Sequence, residues 1–118
     1  MELVELGKVF KISSGGTPSR KREDFYSNGK ISWVKTGDLK IPRLKNVNEF
    51  ITDEALNISS SKLFPKNTAL IAMYGAIIGA TSILDIEAAT NQACGAFLPS
   101  DRCLPQYLYY LFFETNLK

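Results

Sequence analysis

The chain has 118 residues, 45% of them hydrophobic and 22% charged, with a net charge of +2 and no histidine. This length and composition predict one globular domain over residues 1–118 and exclude disordered and collagen-like proteins. The missing histidine removes Ser–His and Cys–His nucleophile activation and every His-ligated metal site.

Taken in chain order, Glu2 follows Met1, and Glu5 and Lys8 interrupt any apolar run, so no leader pattern is present. With only Cys94 and Cys103, in no metal-binding spacing, a reducing cytoplasmic setting is expected. Residues 9–13 alternate apolar and polar and predict a strand. The stretch SSGGTPSRKRED, residues 13–24, suits neither helix nor strand. Gly15 and Gly16 are expected to permit positive φ and Pro18 to hold φ at about −65°, which makes a defined turn rather than a tether. One helical turn closed by Asn28–Gly29 follows. Residues 31–34 predict a strand carrying the only tryptophan, Trp33. Residues 35–40 read as a second, glycine-centred charged turn, and Pro42 makes 40–45 a loop or edge strand. Residues 46–51 alternate again, and Thr52 starts a short helix through residue 59. Pro65 and Asn67 close the next loop.

Residues 68–74 form a continuous apolar strand of the doubly buried kind. Gly75 to Gly79 turn the chain and residues 80–86 return it as a hairpin. The apolar run 69–84 falls short of the roughly 20 residues of a membrane span and is broken by glycines, so it reads as core. Residues 89–98 predict one strand with Asn91 and Gln92 near its start. Residues 104–114 predict a helix with Pro105 in its first turn. This helix is apolar all round, so Tyr107, Leu108, Leu111 and Phe112 are candidates for a partner interface or for self-association. The fold expected is α+β, a twisted, mostly antiparallel β-sheet with short flanking helices.

The charge is uneven. Residues 1–45 hold ten Lys/Arg against five Asp/Glu, whereas residues 46–118 hold four against seven. A basic first half suits a polyanionic partner. Catalytic constellations are poor by comparison. Asp85 and Glu87 share a strand face and can bind a cation, but solvent-facing acids at a strand end are the simpler reading. GGTPSRK departs from a phosphate loop, because Arg20 stands where the second glycine belongs. The first loop instead offers phosphate-binding groups in Ser14, Thr17, Ser19, Arg20, Lys21 and Arg22, with Gly15 and Gly16 permitting close backbone approach. Asn91, Gln92, Lys35, Asp38 and Arg43 are of the types that read base edges.

These residues resemble a known family. Gly15 to Ser19, Tyr26, Gly29, Ile31, Trp33 and Gly37 to Leu39 are similar in order and spacing to the opening of a target recognition domain from the specificity subunit of type I restriction–modification systems. The resemblance continues through the helix after Thr52, the Ser-x-x-x-Pro-x-x-Thr bend, the Gly-x-x-Gly hairpin, the Asn-Gln strand and the final helix. It implies a non-catalytic reader of double-stranded DNA. Separate methyltransferase and restriction subunits would perform the chemistry and hold the cofactors, S-adenosylmethionine, ATP and magnesium. No cofactor or metal is expected in this chain. The family's later strand and spacer helix are not in the sequence, so one domain cut before its finish is expected.

The site this implies is a rim of three loops on one side, 13–22, 35–43 and 74–80. It draws on Lys35, Thr36, Gly37, Asp38 and Arg43, on Tyr74 and Gly75, and on Asn91 and Gln92. Arg20, Lys21 and Arg22 are expected to hold phosphates. Lys35, Asp38, Asn91 and Gln92 are expected to face base edges. The alternative is a partner-binding or self-associating module without DNA recognition.

Overall fold

The computed structural model describes residues 12–74 and 77–99. These residues contain β1 (Ile12–Ser14), β2 (Ile31–Val34), β3 (Arg43–Leu44), β4 (Phe50–Ile51), β5 (Leu63–Phe64), β6 (Ala69–Ala72), β7 (Thr81–Leu84), β8 (Ala88–Thr90) and β9 (Cys94–Phe97). One α-helix, α1 (Asp53–Ile58), and two 3-10 turns, Glu23–Phe25 and Thr36–Asp38, complete them. The final predicted helix, with Tyr107, Leu108, Leu111 and Phe112, lies outside the described residues, as does Gly75. No helix among the described residues is long and apolar enough to cross a membrane.

The α+β class holds, but the strands form two sheets where one was expected. The larger has the order β1-β9-β6-β7-β3 and the smaller β4-β2-β8-β5. Most pairings are antiparallel; β2 with β8 and β3 with β7 are parallel. The division arises in the segment read as one strand, residues 89–98. The Asn91 side-chain oxygen accepts from the Ala93 N–H at 3.2 Å, and the Cys94 N–H donates to the Asn91 carbonyl at 3.3 Å. A side chain that turns back onto its own backbone competes with the sheet ladder. The chain therefore leaves the small sheet after β8 and enters the large one as β9.

The inner core lies between the sheets. Val34, Phe64 and Ala88 of the small sheet meet Leu44, Leu70, Ala72, Leu84, Cys94 and Ala96 of the large one. Because successive strand residues face opposite ways, Trp33 and Ala89 point to the other side of the small sheet. There they pack on Phe25, Ile51 and Ala55 of α1. Burying a large apolar side chain contributes about 1.5–3 kcal/mol, and Trp33, Ile51, Leu70 and Leu84 are each at most 1% exposed. Thr52 caps α1 as predicted, its hydroxyl accepting from the Ala55 N–H at 3.1 Å. The predicted hairpin is the antiparallel pair β6–β7, and β3 is an edge strand of the large sheet.

Candidate nucleic-acid interface

β2 and β8 run parallel, so Lys35 and Asn91 follow their C-terminal ends side by side. The Asn91 N–H donates to the Val34 carbonyl at 2.9 Å. Against these ends docks the first loop. Its Gly16 N–H donates to the Thr90 carbonyl at 2.9 Å, and the Gly16 carbonyl accepts from the Trp33 indole at 3.2 Å and from the Ser61 hydroxyl at 2.6 Å. The Thr17 hydroxyl donates to Gln92 Oε1. The turn after β2 closes on itself, with the Lys35 N–H donating to Asp38 Oδ2 at 2.9 Å and Lys35 Nζ lying 3.6 Å from the same oxygen. Beside Gln92, the Met73 N–H donates to the Ala93 carbonyl at 2.8 Å. After Met73 the chain, with Tyr74 half exposed, thus leaves the large sheet next to the 91–93 turn. Tertiary structure brings together Thr17, Lys35, Asp38, Asn91 and Gln92, residues spread over most of the sequence. Ser19, Arg20 and Lys21 continue the same loop and are exposed, and Ser14, also exposed, sits on β1 opposite Gly95. Thr36 and Gly37 lie in the Lys35–Asp38 turn.

Three expectations require correction. Gly15 and Gly16 are buried, and neither has positive φ. A Cβ on Gly15 would fall 2.0 Å from the Thr90 carbonyl oxygen, and one on Gly16 would fall 2.2 Å from Ser60 Oγ. These glycines let the loop press against the protein's own backbone, rather than supplying positive φ.

Arg43 is also misplaced. It faces Ile83 on β7, and its guanidinium binds Asp85 through Nε at 3.0 Å and Asn67 through Nη2 at 2.6 Å. That is the end of the large sheet away from Ala80, where β7 begins its return, about 10 Å along the strand at ~3.3 Å per residue. The parallel register of β3 with β7 carries Arg43 there, and Asp85, once a candidate cation ligand, is its counter-ion. Among the described residues no three His, Cys, Asp or Glu side chains are grouped to hold a metal ion.

Third, the loop cations are not equivalent. Arg22 binds Asp24 at 2.7 Å, lies 3.5 Å from Glu54 and stacks over Phe25 at 4.2 Å. Arg20 binds Glu49 at 2.9 Å, and Glu49 also lies 3.3 Å from Lys35 Nζ. Lys21 is exposed and has no carboxylate partner among the described residues. The Arg20 hydrogen bond, followed by Lys35, holds the Glu49 carboxyl below its usual range. Burial pushes the Cys94 thiol up to about 12, with Asp38 adding to it. Glu49 escaped the sequence reading because alternation in 46–51 marks a strand there and gives Glu49 no partner or task of its own. Nothing local in the sequence points it at Arg20, twenty-nine positions away.

The whole chain, residues 1–118, matches the sequence model of the family described as type I restriction modification DNA specificity domain. The specificity subunit of the type I restriction enzyme EcoR124I/EcoR124II from Escherichia coli is 31% identical over 114 aligned positions, in a match that covers 94% of this chain and 28% of that protein. The MjaIX specificity subunit from Methanocaldococcus jannaschii is 30% identical over 114 aligned positions, in a match that covers 94% of this chain and 26% of that one. In fold, the chain resembles the HsdS subunit from Thermoanaerobacter tengcongensis, with a TM-score of 0.71 at 16% identity over 91% of this chain and 25% of that one. It likewise resembles a chain from a structure of a type I R-M system, with a TM-score of 0.70 at 19% identity over 93% of this chain and 27% of that one. The chain spans about a quarter of the length of the curated relatives it matches. Matched along its full length, and folded like subunits of such systems, it belongs to the type I restriction modification DNA specificity domain family.

Proposed function

We propose that this chain reads sequence in double-stranded DNA as one half of a bipartite recognition site. It directs methyltransferase and restriction subunits that carry the catalytic groups and their cofactors, and it has no catalysis of its own. The observation that carries this reading is the convergence of the first loop, the Lys35–Asp38 turn and the 91–93 turn at one rim of the small sheet, in a chain whose family is a DNA specificity domain. Loops held on a rigid scaffold can present donors and acceptors at fixed spacing to a groove. Lys21, with the hydroxyls of Thr17 and Ser19, contacts backbone phosphate. Lys35, Asp38, Asn91 and Gln92 line the part that faces base edges.

The test is selection from a random duplex pool followed by titration of the enriched duplex at two salt concentrations. An enriched motif is expected, with affinity that falls steeply between about 50 and 200 mM salt, because each phosphate contact releases counterions. A pool that stays random through repeated rounds refutes the proposal.

A further inference from the structure

Arg20 and Glu49 occupy an unusual frame. The Arg20 guanidinium carbon lies 4.6 Å from the Tyr26 ring centroid and 4.8 Å from that of Trp33. The two rings meet edge-on at 5.8 Å. Neither is free to move far: Trp33 is 1% exposed and donates to the Gly16 carbonyl, and the Tyr26 hydroxyl donates to the Pro18 carbonyl. Glu49 belongs to the same frame, since its backbone carbonyl accepts from the Trp33 N–H at 3.0 Å. Its carboxylate takes Arg20 Nη1 at 2.9 Å and Nη2 at 3.4 Å. The Arg20 side chain still keeps 53% of its surface open.

Two physical points separate the possible uses of such an arginine. A phosphate clamp gains most from uncompensated positive charge. Here Arg20 and Lys35 face Glu49 and Asp38, so the group is neutral. A base reader gains instead from fixed direction, because a guanidinium has five N–H donors in a rigid fork and reads guanine through two of them. Glu49 engages two of those donors and leaves three.

We propose that Glu49 is a positioning residue for sequence readout: it holds Arg20 against Tyr26 and Trp33 so that the remaining donors meet a purine edge rather than a phosphate. This inference rests on the DNA-reading function proposed above and assigns Arg20 a different task from Lys21.

The experiment compares the duplex selected by the wild-type chain with a mixed-sequence duplex, using the full chain and the variants R20A, R20K, E49Q and R20A/E49Q. R20A and R20K are expected to lower the preference for the selected duplex by about 5- to 150-fold, the range of one good bidentate base contact. Mixed-sequence binding and its salt slope should stay within experimental error for R20K. E49Q is expected to lower the preference by at least about 5-fold, and R20A/E49Q to be no worse than R20A, the non-additivity of residues acting as one unit. Melting curves and Trp33 emission close to wild type for the exposed R20K show that the readout is not misfolding. If E49Q tightens both duplexes alike with preference intact, Glu49 merely competes with phosphate and the proposal falls. It falls equally if R20A weakens both duplexes alike and flattens the salt slope. A wild-type chain that selects no motif overturns the parent function first.

Discussion

Replacing Gly15 by alanine adds one methyl group and asks whether the first loop is locked to the sheet. The new Cβ would sit 2.0 Å from the Thr90 carbonyl oxygen, 2.1 Å from Thr90 Oγ1 and 2.5 Å from the Thr90 carbonyl carbon. Two of these three atoms are backbone of β8, so no side-chain rotation relieves the clash. The loop must retreat, and the Gly16 N–H bond to the Thr90 carbonyl breaks with it. Thr90 is 0% exposed, so water cannot replace that donor. Overpacking costs about 1–3 kcal/mol and an orphaned buried carbonyl about 1–3 kcal/mol. The expected loss is about 2–6 kcal/mol, a large share of the roughly 5–15 kcal/mol of an ordinary domain. Urea unfolding followed by circular dichroism and by fluorescence of the single tryptophan measures it. Trp33 is well placed to report, because its indole donates to Gly16. The midpoint should fall by at least about 0.7 M, the ~2 kcal/mol lower bound divided by the steepest slope of ~3 kcal/mol per M. Gly37→Ala is the control. Its Cβ would meet nothing within 4 Å and its φ is not positive, so no loss, or a gain of about 0.4–1 kcal/mol, is expected. Equal midpoints for G15A and G37A would refute the argument that Gly15 is there for close approach.

Three further outcomes are expected. Lys21→Ala should reduce the salt slope of duplex binding by about one unit, as loss of one phosphate contact does, while Arg22→Ala, already neutralised by Asp24 and Glu54, should change it less; the reverse order in parallel titrations would overturn the assignment. A carbon-detected NMR titration should place the Glu49 midpoint below its ordinary 4.5, and R20A should raise it. With the folded value depressed, the Arg20–Glu49 pair contributes in full above about pH 4.5 and is lost as pH falls through the folded midpoint; a midpoint at or above 4.5 in the wild type contradicts the bond. Cys94, with its thiol raised from 9.0 to about 12, stays protonated in the fold while the unfolded chain ionises. Its contribution is therefore intact below pH 9 and declines above it, by up to ~1.4 kcal/mol per pH unit. In a C103S background, unfolding between pH 8 and 10 should show that decline and C94A should remove it, and iodoacetamide should label the native thiol far more slowly than the unfolded one.

Much of the fold was legible because the signals are local. Period-two alternation marked the stretches that hold β1 and β4, the apolar run marked β6, and Thr52 before an acidic turn marked α1, whose cap bond spans only three residues. β5 was missed because two residues after a serine run carry no pattern, and they become a strand only by pairing with β8. The candidate rim was half legible. Residue types and turn chemistry pointed to Thr17, Lys35, Asp38, Asn91 and Gln92, and the structure brings these together at the ends of β2 and β8.

From the sequence alone came the α+β class, the basic first half, the absence of histidine chemistry and a family resemblance that the full-length match bears out. Those depend on composition and on neighbours along the chain. Only the tertiary structure decided that Arg43 turns away to Asp85, that Gly15 and Gly16 serve packing, and that Glu49 stands behind Arg20. Each of these depends on which strands pair and in which register. A charge has no assigned task until the fold has chosen its nearest opposite charge, because the pair energy depends on distance and burial and not on position along the chain.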